Sequence, residues 1–214
     1  MFERILNFLR RWKFHQKEEW DKIAYSYLKD CNFILDLGCG EGRFLRLCPD
    51  RMVGIDWNMK SLKECVRKGY NVCRGDVRCL PFKNESVNGI HCSHILEHFL
   101  PLDVHKILSE MDRILRPGGI LVIRTPLLWN GFYDDLTHVR PYNPEAIIHY
   151  LTPSRERTLE HISENYRVIL LKFRYKPIQM RNKYLNFIFN VLNRWGFPWL
   201  KKTGYMMVMR KEEK

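Results

Sequence analysis

The sequence has no long apolar run and no paired cysteine motif, and both absences narrow the class of protein. No segment reaches the roughly eighteen uninterrupted apolar residues that a membrane-spanning helix needs. The seven cysteines are scattered singly and form no Cys-x-x-Cys pair, so we expect free thiols, no structural zinc site and a reducing, cytoplasmic location. Basic residues interrupt the apolar part of residues 1–14, which argues against a secretory signal.

The sequence also has fewer acidic than basic residues. The chain has 36 Lys and Arg against 24 Asp and Glu, for a formal net charge of +12 at pH 7. From Lys172 to Lys214, eleven basic residues stand against only Glu212 and Glu213. Such a balance attracts polyanions such as RNA, an anionic lipid surface or a phosphorylated small molecule, although a basic face is often simply solvated.

The pattern of apolar residues predicts one α/β domain. Short apolar runs bounded by turn residues are typical of strands buried on both faces of a parallel sheet. They lie at residues 33–37, 52–55, 71–75, 89–92, 120–124, 168–173 and 205–209. Helical patterns lie between them, and Asn143-Pro144-Glu145 has the residues that open a helix. We expect residues 1–30 to be an N-terminal helical extension of a domain at 31–214, in which 178–203 is an insertion or lid.

A glycine-rich segment, LDLGCGEG at residues 35–42, follows the first predicted strand. Glycines allow a tight turn and a close approach of backbone to ligand. We expect a helix directly after the turn, with Glu41 at its start, where a carboxylate would repel a pyrophosphate. A ligand without phosphates therefore fits this turn better than a dinucleotide.

Three aspartates lie twenty residues apart, each at the end of one of the first three strands: Asp36, Asp56 and Asp76. Ligands of open α/β sheets bind outside the carboxyl ends of the strands, so the three carboxylates should line one edge. The first suits an ammonium group, the second the hydroxyls of a ribose and the third the exocyclic amine of adenine. S-adenosylmethionine carries all three groups and a sulfonium cation.

At this point the chain resembles the class I S-adenosylmethionine-dependent methyltransferases. The segments LDLGCGEG, VGIDWN, GDVRCLPF, CSHILEHF and LRPGGILVI match that family's motifs in order, over about residues 31–125. The resemblance implies a Rossmann-like, seven-stranded and mostly parallel sheet with its last strand antiparallel and helices on both faces. It also implies a set of cofactor-binding residues: Asp36, Gly38, Cys39, Gly40, Gly42, Asp56, Trp57, Asp76, Val77 and Ser93. Ser86-Val87-Asn88 departs from the Ser-Phe-Asp that family members often show.

The segments after the fourth and fifth predicted strands contain histidines that could act on the methyl acceptor. His94, Glu97 and His98 have the spacing of one helix face, and His138 follows the fifth strand at the same edge. Such a set could hold a divalent metal. The set resembles the Glu-x-x-Glu-His pattern that, together with a distant His, occurs in small-RNA 3′-end 2′-O-methyltransferases. It also resembles the Glu-x-x-Glu-His of some quinone-biosynthesis O-methyltransferases. In this chain His94 stands in place of the first Glu. Without a metal, His98 or His138 could act as general base.

Other features leave the acceptor open. No Asn/Asp-Pro-Pro-Tyr/Phe motif and no Pro-Cys pair follows the fourth strand, which argues against base methylation. Arg140 and Tyr142 are candidates for lining the acceptor pocket. The apolar stripe at residues 184–195 predicts core packing, with a lid or a membrane-surface patch as alternatives. We expect methyl transfer to a small molecule, at a hydroxyl of a lipid-linked, quinone-like or sugar-type substrate. The alternatives are an RNA 2′-O-methyltransferase and a non-catalytic cofactor-binding interaction module.

Overall fold

The computed structural model describes residues 19–153, 159–177, 182–194 and 200–213. Seven strands form one sheet in the order β3-β2-β1-β4-β5-β7-β6. The strands are β1 (Ile34–Leu37), β2 (Met52–Asp56), β3 (Val72–Arg74), β4 (Val87–Ser93), β5 (Leu115–Pro126), β6 (Tyr166–Pro177) and β7 (Leu200–Lys211). Strand β7 is antiparallel to both of its neighbours, whereas β1 to β5 pair in parallel. The predicted fold class is confirmed.

Within the described ranges, five α-helices accompany the sheet: α1 over residues 19–28, α2 (Met59–Arg67), α3 (Pro101–Ile114), α4 (Pro144–Leu151) and α5 (Lys183–Arg194). The Asn58 side chain caps α2 by accepting from the backbone N–H of Lys60. Pro101 and Pro144 occupy the first turns of α3 and α4, where a missing N–H costs nothing. Within the described part of the chain, no helix is long and apolar enough to cross a membrane.

Two hydrophobic clusters cover the two faces of the sheet. On one face, α3 and α4 contribute Ile107, Met111 and Ile147 to a core with β4 and β5. On the other face, α1 and α2 bury Leu28 and Leu62 against β1, β2 and β7. The part of the expected N-terminal extension at residues 19–28 therefore packs into this domain, whereas residues 1–18 lie outside the described residues.

Local structure differs from the prediction at two points. No α-helix follows the glycine turn: the chain forms 3-10 turns at Leu45–Leu47 and Pro49–Arg51 before β2 begins. Proline disfavours helical geometry in the residue before it, and Pro49 leaves too little chain for a helix. The predicted helix face of His94, Glu97 and His98 is also wrong. His94 has a left-handed backbone (φ 60°) and only Leu96–His98 makes a 3-10 turn, with α3 starting later.

Candidate functional site

The glycine turn lies where β1 ends, beside the end of β2. Gly38 and Gly40 have φ values of 67° and 52°, which glycine adopts without strain. The backbone N–H groups of Gly38 and Cys39 both donate to the carbonyl of Ile55, which ties the turn to β2. A Cβ atom at Gly38 would collide with Ile95, whereas one at Gly40 would meet nothing within 4 Å. The turn thus presents bare backbone to open space at Gly40.

Asp56 joins the end of β2 to this turn. Its Oδ2 accepts from the backbone N–H of Gly40 at 2.9 Å, and its Oδ1 accepts from that of Asn58 at 2.8 Å. Each carboxylate oxygen has a second lone pair, so the carboxylate can still accept from two ligand hydroxyls. The next side chain, Trp57, is 77% exposed and offers a free aromatic face at the same edge.

Asp36 is placed differently from the other two strand-end aspartates. Its side chain is buried, and Oδ1 accepts from Nδ1 of His91 on β4 at 2.7 Å. The His91 ring stacks on Phe44 with centroids 3.7 Å apart. Among the described residues no other hydrogen-bond partner of the Asp36 side chain is found, so Oδ1 is engaged by His91 whereas Oδ2 has no partner.

Asp76 forms an ion pair with Arg78, which the spacing of the aspartates does not predict. Arg78 donates to both carboxylate oxygens, with Nη2 at 2.7 Å from Oδ2, and also reaches Asp103. These hydrogen bonds lower the pKa of Asp76. An adenine amine would therefore share this carboxylate with a guanidinium. Val77 is buried beside it.

The remaining predicted cofactor residues lie around the same turn. Cys39 is buried, and the Sγ of Cys65 approaches the carbonyl of Gly40 at 3.2 Å. A Cβ at Gly42 would collide with Tyr70, so glycine is required there for packing as well as for its φ of 78°. Ser93 is half-buried at the end of β4. These residues fit S-adenosylmethionine: open space over bare backbone, lone pairs for a ribose and an exposed indole for a base.

The four acceptor-side residues converge in the structure. One ligand atom each of Glu97, His98 and His138 lies within 4.8 Å of the others. The rings of His98 and His138 have centroids 4.9 Å apart, and Nδ1 of His94 donates to Oε1 of Glu97 at 3.1 Å. Glu97 is fully buried, and its Oε2 accepts from the hydroxyl of Thr125 at 3.1 Å.

Backbone contacts fix the orientation of both histidine rings. Nδ1 of His138 donates to the carbonyl of Phe132 at 2.7 Å, and Nδ1 of His98 donates to that of Thr137 at 3.1 Å. A carbonyl only accepts, so in each neutral ring the proton is on Nδ1 and Nε2 carries the lone pair, which in His138 lies 3.9 Å from Oδ2 of Asp135. The same tautomer suits a general base and a metal ligand.

The convergence arises from two backbone hydrogen bonds and not from a shared helix face. The carbonyl of Glu97 accepts from the N–H groups of Val139 and Arg140, at 2.8 and 3.3 Å. These bonds pin the loop after β5 to the segment after β4. Tyr142 is buried, its hydroxyl donates to the carbonyl of Phe99, and Arg140 stacks over its ring. The Tyr142 hydroxyl therefore stabilises this loop through its hydrogen bond to Phe99.

A buried charged group near the turn was missed by the sequence analysis. Asp21 of α1 pairs with Arg43, just after the glycine turn, and with Arg124 near the end of β5. Arg124 and Asp21 are both buried, and this burial lowers the pKa of the Arg124 guanidinium. The charged residues are visible in the sequence, but no local pattern links positions so far apart. The pairing fixes α1 to the edge where the turn lies.

Part of the chain is similar to known methyltransferases. Residues 35–123 match the family model described as "Methyltransferase domain". A tRNA (carboxymethyluridine(34)-5-O)-methyltransferase of Arabidopsis thaliana is 28% identical over 130 residues, covering 59% of this chain and 31% of that protein. A phthiotriol/phenolphthiotriol dimycocerosates methyltransferase of Mycobacterium leprae is 38% identical over 100 residues, covering 41% of this chain and 35% of that protein. The chain thus spans about a third of the length of the curated relatives it matches.

Solved structures share the architecture over nearly the whole chain. A SAM-dependent methyltransferase from Archaeoglobus fulgidus superposes with a TM-score of 0.66 at 23% identity, covering 94% of this chain and 99% of the other. A protein from Pyrococcus horikoshii superposes with a TM-score of 0.58 at 16% identity, covering 94% and 91%. At these identities the likeness establishes the fold.

Proposed function

We propose that this chain, whose residues 35–123 match the methyltransferase-domain model, transfers a methyl group from S-adenosylmethionine to a hydroxyl of a small molecule. The observation that supports S-adenosylmethionine binding is the hydrogen bond from the Gly40 N–H to Asp56. It holds a carboxylate with spare lone pairs beside open space over the glycine turn. When bound, S-adenosylmethionine supplies an electrophilic methyl group on its sulfonium.

The chain's own residues would do three things. Asp56 would accept from the ribose hydroxyls, Trp57 would flank the adenine, and Asp36 would place negative charge beneath the methionine ammonium. Gly38, Gly40 and Gly42 would let the backbone approach the cofactor closely. Cys39, Asp76, Val77 and Ser93 would line the rest of the cleft. Positioning of acceptor and donor in line then supplies much of the rate.

The acceptor hydroxyl must lose a proton as it attacks, and His98 or His138 is the proposed base. Both rings offer an Nε2 lone pair, because their Nδ1 protons are bound to backbone carbonyls. Buried Glu97 would stabilise positive charge that develops on the nearby imidazoles. His94, hydrogen-bonded to Glu97, would orient that carboxylate.

A lipid-linked, quinone-like or sugar-type acceptor is the preferred substrate class. Support comes from the mycobacterial relatives, which are methyltransferases of phthiotriol and phenolphthiotriol dimycocerosates. The decisive experiment is methyl transfer from labelled S-adenosylmethionine to fractionated lipids, to sugars and to RNA from the source cell. Label in a lipid or sugar fraction supports the proposal. Cofactor binding without label in any fraction would instead favour a non-catalytic interaction module.

RNA is the second candidate acceptor, because the chain is strongly basic and the Arabidopsis relative is named for a tRNA. If RNA is the substrate, its affinity should fall steeply with salt as Lys and Arg displace counterions. Tight, structure-selective binding at physiological salt, with label in a ribose 2′-hydroxyl, would replace the small-molecule proposal. Weak and unselective binding would leave it standing.

A divalent metal at Glu97, His98 and His138, with His94 nearby, is the alternative to a histidine base. The ligand atoms lie close enough, and both Nε2 atoms carry lone pairs. A metal would lower the pKa of an acceptor hydroxyl as a Lewis acid. Chelation separates the alternatives: activity that EDTA removes and a divalent ion restores favours the metal, and activity that EDTA leaves intact favours the base.

A further inference from the structure

Helix α5 exposes large apolar side chains. Tyr184, Phe187, Ile188 and Val191 follow the i, i+3, i+4, i+7 spacing of one helix face, and all four are exposed, Phe187 at 69%. Of the predicted stripe, Leu185, Ile188 and Val191 are exposed and Leu192 is half-buried, whereas Trp195 lies outside the described residues. The expectation that these residues pack into the core is therefore wrong for the exposed ones. A helix oriented this way exposes the surface that a globular core would cover.

The surroundings of α5 are basic. The chain contains no Asp or Glu between residues 165 and 211. Lys183 begins the helix, and Lys201 and Lys202 follow Leu200 at the start of β7, all three exposed. Leu200 itself is also exposed. An apolar helix face flanked by lysines is typical of helices that lie in the interface of an anionic membrane.

The position of α5 relates this surface to the cofactor cleft. The helix connects the end of β6 to the start of β7, where Pro177 pairs with Leu200. Further along β7, Gly204 pairs with Pro126 at the carboxyl end of β5. The helix therefore lies at the same edge of the sheet as the glycine turn and the histidines. The loop after β5 also exposes Leu136, at 99%, but its Asp134 and Asp135 oppose an anionic surface.

We propose that the exposed face of α5 and the lysines beside it bind an anionic lipid surface and hold the cofactor edge of the sheet against it. Aliphatic side chains such as Ile188 and Val191 favour this over RNA, because they gain from burial in hydrocarbon and have no stacking partner in a nucleic acid. This proposal concerns membrane binding and not methyl transfer itself. It depends on the proposed function only in its preference for a lipid-linked acceptor.

The test is flotation of the full chain with vesicles of phosphatidylcholine alone and of phosphatidylcholine mixed with phosphatidylglycerol. We expect binding to the mixed vesicles that weakens with salt. Phe187→Ser with Ile188→Ser should weaken it at least about tenfold. Lys201→Glu should weaken it about fivefold or more. Val66→Ser and Lys63→Glu, exposed on α2 at the opposite end of the strand order, are the matched controls and should bind as the parent does.

Three results would overturn the proposal: no binding of the parent chain to mixed vesicles, equal loss in the α2 controls, or a dimer that light scattering detects and Phe187→Ser dissolves. The substituted side chains are exposed, so thermal melting should be unchanged. Titration with S-adenosylmethionine separates this proposal from the function. Retained cofactor affinity and labelling of a water-soluble acceptor, without vesicle binding, would end the membrane proposal alone. Vesicle binding without cofactor affinity would end the function alone.

Discussion

Nδ1 of His91 lies 2.7 Å from Oδ1 of Asp36, and this contact joins the central strands β4 and β1 through two buried side chains. Replacing His91 by Ala would leave a buried carboxylate without its partner. We expect a loss of about 3 kcal/mol or more in the free energy of unfolding, measured by urea denaturation.

Asp36→Asn is the matched variant for that measurement. Its amide oxygen can still accept from His91, so it should cost clearly less than His91→Ala. Equal losses in the two variants would mean that the charge of Asp36, and not the hydrogen bond, stabilises the pair. Calorimetric titration of Asp36→Asn with S-adenosylmethionine would then measure what the charge contributes to binding.

Asp56 and Trp57 test the cofactor site in two independent ways. Asp56→Ala removes hydrogen bonds to a charged acceptor, and we expect the Kd for S-adenosylmethionine to rise at least about tenfold. Trp57→Ala removes an exposed ring without touching the core, and a rise of about two- to tenfold is expected. Calorimetric titration measures both. An unchanged Kd in Asp56→Ala, with the fold intact, would contradict the assignment.

The histidine pair has a kinetic signature. Loss of the general base should lower kcat by about 10²–10⁴ while the cofactor Kd stays constant. We expect His98→Ala or His138→Ala to show this loss. His105→Ala is the control, since that ring binds the carbonyl of Glu160 and contacts Tyr150, and neither residue belongs to the histidine pair. Full activity in both variants would move the acceptor site towards Arg140 and α5.

A pH-dependent contribution to stability should come from Glu110. Its Oε2 accepts from the backbone N–H of Leu80 at 2.7 Å and from Nη2 of Arg113 at 2.8 Å, and the hydrogen bond from Arg113 lowers its pKa. A carboxyl with a lowered folded-state pKa stabilises the fold above its unfolded value, about 4.3, and loses that contribution as pH falls through the folded pKa.

Glu110→Gln should therefore be less stable than the parent at neutral pH, by roughly 1 kcal/mol. The difference should shrink as the pH falls below about 4.3, because the parent carboxyl then becomes protonated too. Urea denaturation across this range measures it. A difference that stays constant with pH would show that the Arg113 interaction does not depend on charge.

The sheet could be predicted because its strands are encoded locally. Residues 34–37 and 52–56 are mainly apolar runs, with Asp36 next to the end of the first and Asp56 at the end of the second, and both form strands almost as predicted. The backbone conformation after these strands could not be predicted. Pro49 excludes a helix where the family pattern suggests one, and the left-handed conformation of His94 was unexpected because few residues other than glycine adopt a positive φ.

The candidate site divides in the same way. The convergence of Glu97, His98 and His138 followed from topology, because the ends of adjacent parallel strands meet at one edge. The side chains that pair with the strand-end aspartates could not be predicted from topology. Arg78 and His91 occupy these positions because of the detailed geometry of the side chains. The direction of α5 is equally hidden, since an amphipathic stripe shows that one face is apolar and not what covers it.

The placement of β7 has a consequence for the way the chain folds. Strand β7 lies between β5 and β6, and β6 pairs only with β7 among the described strands. Synthesis from the N-terminus therefore produces β6 before the strand that it must pair with. Until β7 arrives, the edge of β5 and the whole of β6 present open hydrogen-bonding groups to other chains. Premature release or slow docking of this one strand is thus the step at which nascent chains would be most prone to aggregate.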